Sequence, residues 1–355
     1  MFNPQRLSLA RKRRKHTKKS LAEAIGVTPL TLTRLEAGEN QPEEETINKL
    51  SAELKFPVPF FFGDDIEGIH CEGVSFRKLS TLTIKDRDAS LASGEFGVMF
   101  VDWVAERFNL PELDIPDLSA DYTAEGAALA LREYWGLGQI PINDIVKLLE
   151  SKGVRILSLK EDIKTVDAFS FWRNKTPYIF LNSFKTVERS RFDAAHELGH
   201  LVMHVGGRLD HGKAIEREAD TFASCFLMPE SDIRSEVCRN PTIEYLIEKK
   251  VRWRVSLASL CYRLNKLGIL SDWQYRNFCI EINLRFKNTE PNSVGTISST
   301  LWEMIFRELW SKKITKSTIS KELNIPLDEL EKLVVFREEA QKRSENRIRN
   351  LTAIK

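Results

Sequence analysis

With 355 residues, an apolar fraction of 42% and a formal charge of +2, the chain can bury two or three cores but is too nearly neutral to bind polyanions as a whole. Five scattered cysteines (Cys71, Cys225, Cys238, Cys261, Cys279) show no C-x-x-C pair, which excludes a disulfide frame and fits reduced thiols in a cytosol. No apolar run reaches the roughly 18 residues of a spanning helix, and no apolar stretch follows the basic N-terminus as in a signal peptide, so no membrane partner is expected.

Residues 1–63 read as five short helices. Leu7, Leu9 and Ala10 pattern the first, and Lys19–Ile25 forms the second, stopped by Gly26. Thr28 caps a third that opens on Pro29 and carries Leu32 and Leu35 at helical spacing. A fourth runs from about Glu43 to Leu54, and Phe60-Phe61-Phe62 closes the core. A short helix, a glycine turn and a second helix make a helix-turn-helix unit. Thr28, Leu30, Thr31, Thr33 and Arg34 on its second helix are expected to face a major groove, with Arg13, Arg14, Lys18 and Lys19 holding phosphates. A helical module that binds protein instead is the alternative, because Thr and Leu offer little to base edges.

Residues 64–119 read as a connector. Val74–Arg77 is expected to be extended, and a helix is expected from about Ser90 to Phe108, its aromatic face serving packing. Residues 120–285 begin with helices at Thr123–Tyr134 and Ile142–Lys152, a strand at Val154–Leu159, and a hairpin of Ala168–Trp172 and Tyr178–Asn182. A strand edge there can align an extended peptide, and Tyr178 or Asn182 is weighed as an oxyanion partner against a core or turn role.

The chemistry concentrates in Phe192-Asp193-Ala194-Ala195-His196-Glu197-Leu198-Gly199-His200. On a helix, His196 and His200 share one face a turn apart and can close on one zinc ion, with Glu197 beside them as general base. A second helix, Glu216 to Phe226 before Pro229, places Glu216 and Asp220 on one face. Glu216 can supply the third ligand while Asp220 accepts the second ring N–H of a ligating histidine. Glu218 points away and is the weaker candidate. His204 lies about 12 Å from His196 along an unbroken helix, so it is expected near the metal but not on it. His211 is free of that constraint but reads as a solvated loop residue.

These motifs have a family pattern. Residues 3–62, through Leu21–Thr28, Arg34–Glu39 and Pro42, resemble the XRE or phage-repressor type of helix-turn-helix. The two metal motifs, with the helices and small sheet before them, look like the ImmA/IrrE zinc metallo-endopeptidases, and the whole resembles fused XRE–ImmA/IrrE regulators. The resemblance implies Glu216 as the third ligand and a repressor or other regulatory protein as substrate.

Thr242–Lys250 and Ser256–Leu264 read as helices of a second helix-turn-helix-like pair, expected to support the zinc fold as a helical lid, with nucleic-acid contact as the alternative. Residues 286–355 form a helical C-terminal region, in which Ser317–Leu333 can be laid beside Ser20–Arg34. Its second helix carries Asp328, Glu329 and Glu331, which points to protein contact rather than DNA. The tail after about Lys342 is polar and expected to fray.

The expected fold is α+β, mostly α: a five-helix helix-turn-helix domain, a zincin-like catalytic domain with a small sheet, and a helical C-terminal region. The expected function is a cytosolic transcriptional regulator with a zinc endopeptidase, working with double-stranded operator DNA and a protein substrate, and pairing as a homodimer on palindromic sites. The alternative is a non-proteolytic repressor or antitoxin-like regulator whose peptidase fold senses or binds a partner. The metal motif alone also permits a hydrolase acting on something other than peptide.

Overall fold

The structure is a computed structural model, and it describes residues 1–66, 83–119, 122–159, 168–182, 185–204, 213–287, 289–293 and 295–334. Val74–Arg77, His211 and the tail after Lys342 lie outside these residues. The fold is α+β and mostly helical, with one three-stranded sheet in the order β1-β3-β2. In chain order the elements are α1 (Pro4–Arg13), α2 (Lys18–Ile25), α3 (Pro29–Glu36), α4 (Glu44–Leu54), α5 (Ile84–Ala105), α6 (Ala124–Tyr134), α7 (Ile145–Ser151), β1 (Arg155–Leu159), β2 (Ala168–Arg173) and β3 (Thr176–Asn182). There follow α8 (Val187–Met203), α9 (Lys213–Leu227), α10 (Glu230–Glu236), α11 (Ile243–Trp253), α12 (Leu257–Lys266), α13 (Asp272–Phe286), α14 (Thr300–Ser311), α15 (Lys316–Glu322) and α16 (Leu327–Leu333). No helix among the described residues is long and apolar enough to cross a membrane.

Contacts divide the chain into two compact units, which do not follow the chain-order segments. Among the described residues, one gathers Met1–Leu110 with 157–159 and 301–334; the other holds Pro111–Ile156 and 168–300.

In the first unit, local chemistry places each helix. Asn3 caps α1, its side chain accepting from the Gln5 N–H at 2.9 Å, and Pro4 sits where no N–H is needed. Thr17 and Ser20 close a capping box on α2, and Gly26 ends it at φ +73°, a conformation glycine adopts without a Cβ penalty. The fifth expected helix is a 3-10 turn, Val58–Phe62, because Pro57 and Pro59 limit it to a short, tight segment. Leu7, Leu21, Leu32, Leu50, Leu54 and Phe60 are fully buried between these helices.

The connector helix α5 starts earlier than its apolar pattern, at Thr83, whose hydroxyl accepts from the Asp86 N–H at 3.2 Å. Phe96 of α5 lies 5.6 Å from the ring of Phe56, and Phe100 lies 5.2 Å from Trp302 of α14. The C-terminal helices thus belong to the same core as the N-terminal ones. A buried ion cluster reinforces this: Glu329 of α16 takes Arg13 Nε on one oxygen and Arg14 Nη1 on the other, both at 2.6 Å.

In the second unit, α8 is buried along most of its length, with β2 and β3 on one side and α6, α7 and α9 around it. β2 and β3 pair antiparallel, Ala168 opposite Leu181 and Ser170 opposite Ile179. Asn174 and Lys175 both take positive φ, 48° and 62°, as a two-residue turn matched to the strand twist requires. Alternation puts Ala168, Ser170, Ile179 and Leu181 on one face of the sheet. On the other face Phe169 stacks on Phe180 at 4.8 Å and Phe171 on Tyr178 at 5.1 Å.

Candidate metal centre

The core of α8 carries His196, Glu197 and His200, all buried. Helical spacing brings the two imidazoles onto one face, with their Nε2 atoms 3.1 Å apart. Glu216, near the start of α9, reaches the same point: one oxygen lies 3.5 Å from His196 Nε2 and the other 3.5 Å from His200 Nε2. Three ligands on a tetrahedral ion at about 2.0–2.1 Å lie about 3.3 Å from one another. One ligand atom from each of the three residues lies within 4.8 Å of the others, so a small contraction around one ion would bring them to that spacing.

Gly199 eases this approach. A Cβ there would stand 3.0 Å from the ring of Phe222 on α9, so the glycine lets the two helices pack here without displacing that ring. Phe222 is itself fully buried.

The hydrogen bonds around the triangle present both Nε2 lone pairs to it. His196 Nδ1 lies 2.8 Å from Asp220 Oδ1, an acceptor-only partner, so Nδ1 carries the proton. His200 Nδ1 lies 3.0 Å from His204 Nδ1, and His204 Nε2 lies 3.1 Å from Glu218 Oε2. One proton order satisfies this chain: His200 donates to His204, and His204 donates to Glu218. Burial lowers the pKa of His204, against the opposing effect of its hydrogen bond to Glu218, in keeping with a neutral ring. Burial raises the pKa of Glu216, but the closeness of the His196 and His200 rings outweighs it and holds the carboxyl well below its usual range. The donor set is thus two neutral imidazole nitrogens and one carboxylate, which suits zinc. Among the described residues these three form the one group arranged to hold a metal ion.

Glu197, fully buried and next to His196 in the chain, accepts a hydrogen bond at 2.7 Å from the hydroxyl of Ser170 on β2. Sequence reasoning missed Ser170 and the His200–His204–Glu218 chain. The signal for Ser170 was a hydroxyl at an inward position of an otherwise apolar strand. Tyr178 packs against Phe171 on the face away from Ser170, so the structure gives it the core role and not the oxyanion role. Asn182 shares that side by alternation and is buried.

On the helix-turn-helix, Thr28, Leu30, Thr33 and Arg34 are exposed, Thr31 is half-buried, and Lys18 and Lys19 are exposed. Thr28 also caps α3 through the Thr31 N–H. Arg13 and Arg14 correct the expectation of phosphate contacts. The Arg13 side chain is 4% exposed and committed to Glu329, and Arg14 is shared between Glu329 and the Leu54 carbonyl. An arginine paired inside the fold is not available to a phosphate.

Residues 149–265 match the family model for an IrrE N-terminal-like domain, peptidase M78, a span that holds the hairpin, α8, α9 and the whole triangle. Residues 7–61 match the family model for a helix-turn-helix. The chain therefore joins an XRE-type helix-turn-helix to an IrrE N-terminal-like peptidase M78 domain. No curated protein matches the chain.

Proposed function

We propose that the chain is a cytosolic transcriptional regulator whose second unit is a zinc-dependent endopeptidase acting on a regulatory protein such as a repressor. The observation that carries this reading is the triangle of His196, His200 and Glu216, with a buried glutamate, Glu197, adjoining it. A zinc ion held there would polarise a scissile carbonyl and lower the pKa of water toward about 7. Glu197 then accepts the proton of the attacking water and passes it to the leaving amine. Asp220 and His204 keep the two imidazoles in the required tautomer and orientation.

In the sheet order, β2 is an edge strand, and it packs against α8. An extended peptide pairing along that edge would lie beside Glu197, which suits an endopeptidase more than a hydrolase of small esters. The exposed face of α3, with Lys18 and Lys19, supports operator binding that brings the peptidase to a DNA-bound target, and pairing on a palindromic site would make the working form a homodimer.

The test is purified protein incubated with candidate repressors, cleavage being followed by mass spectrometry. Wild type should cut one of them at a defined bond, and Glu197→Gln should retain zinc but lose cleavage. Undiminished cleavage by Glu197→Gln contradicts the assignment. No cleavage by either, with operator binding retained, returns the chain to a non-proteolytic regulator.

A further inference from the structure

We propose that Ser170 is a positioning residue that fixes the Glu197 carboxylate beside the metal triangle, an inference that rests on the peptidase reading above. Ser170 is 2% exposed and lies between Phe169 and Phe171, yet strand alternation turns it toward α8. Its Oγ lies 2.7 Å from Glu197 Oε2 and 3.5 Å from the Glu197 carbonyl oxygen, so the short bond goes to the carboxylate. A glutamate has three rotatable side-chain bonds, and a hydrogen bond to its charged end selects one arrangement. A hydroxyl can also reverse its role: it donates to a carboxylate and accepts from a carboxylic acid. Ser170 can therefore hold Glu197 in place both before and after the glutamate takes up a proton. A residue able only to donate, such as lysine, would keep only the weaker bond to the carbonyl oxygen of the neutral acid. Because β2 is an edge strand, the same backbone that would align a peptide also carries the group that sets the base.

The experiment uses the full chain. With a repressor or peptide that the wild type cleaves, Ser170→Ala should lower kcat about tenfold to a hundredfold, the scale of a misplaced catalytic group, with KM within about twofold. Bound zinc should stay at the wild-type stoichiometry. Ser170→Thr restores the hydroxyl and should recover most of the lost kcat. The bond itself is read in chelator-treated protein by urea midpoints of Ser170→Ala, Glu197→Ala and the double variant, where the double shift should be smaller than the two single shifts together. Additive midpoints, or an unchanged kcat in Ser170→Ala, overturn the positioning role while the peptidase reading stands. A wild type that cleaves nothing removes the peptidase reading and this role with it, and the midpoints then report only on the hydrogen bond.

Discussion

Asp220 on α9 meets His196 on α8 at 2.8 Å, so the helix that brings the third candidate ligand also sets the tautomer of the first. The bond joins the two helices at the point where the triangle forms. Asp220→Asn retains the size of the side chain but can present an N–H to the imidazole and favour the wrong tautomer. Zinc affinity should fall about ten- to a hundredfold, as measured by competition with a chromogenic chelator. The fold should be unaffected, because the Asp220 side chain is 51% exposed.

Gly199 makes a complementary prediction about packing. Gly199→Ala sets a methyl group 3.0 Å from the Phe222 ring, which must shift by a few tenths of an ångström within the packed α8–α9 contact. The expected cost is about 1–3 kcal/mol in chemical denaturation, with weaker zinc binding because Glu216 shares α9 with Phe222. A variant as stable as wild type, with unchanged zinc affinity, would show that the close approach is dispensable.

The basic residues of the first unit should separate into two kinds. Lys19 is exposed, its ammonium 3.9 Å from Glu23. Lys19→Ala should leave the melting temperature nearly unchanged and reduce the salt dependence of DNA binding by about one phosphate contact. Arg13→Ala leaves Glu329 with Arg14 and Lys332 but removes its partner on the other oxygen, and should cost about 1–3 kcal/mol of stability, read by urea denaturation.

Glu95 on α5 gives the first unit a pH signature. Burial pushes its carboxyl up to about 7 from an ordinary 4.5, against the opposing charges of Lys12 and Arg6. The folded state then holds an extra proton between pH 4.5 and about 7, so the contribution is full below 4.5 and is lost as pH rises through 7. The size is on the order of 2–3 kcal/mol. Glu95→Gln should be more stable than wild type at pH 8, and the difference should shrink on acidification, as followed by urea midpoints across that range.

How much of this was legible in the sequence depended on whether the signal was local. Spacing on one helix face identified His196, His200, Glu216 and Asp220, because three and four residues along a helix are neighbours in space. Turn and cap chemistry likewise placed α3 and the hairpin. Partners distant in sequence were not legible: the Arg13–Glu329 ion pair joins residues 316 positions apart, and no periodicity announces it. Ser170 and Glu197 are separated by a turn, a strand and half a helix. The helix α13 went unread although Ser271 and Gln274 form a capping box, because apolar residues occur on more than one of its faces. Its Tyr275, Phe278, Ile282 and Phe286 lean on the core, while Trp273 and Leu284 are exposed.

The central claim is tested most directly by anomalous diffraction at the zinc edge from crystals of the full chain grown with zinc. The prediction is one strong peak per chain, about 2.0–2.2 Å from His196 Nε2, His200 Nε2 and a Glu216 oxygen. A peak elsewhere with none among these three side chains, or a Glu216 carboxylate turned away from the ion, would contradict it.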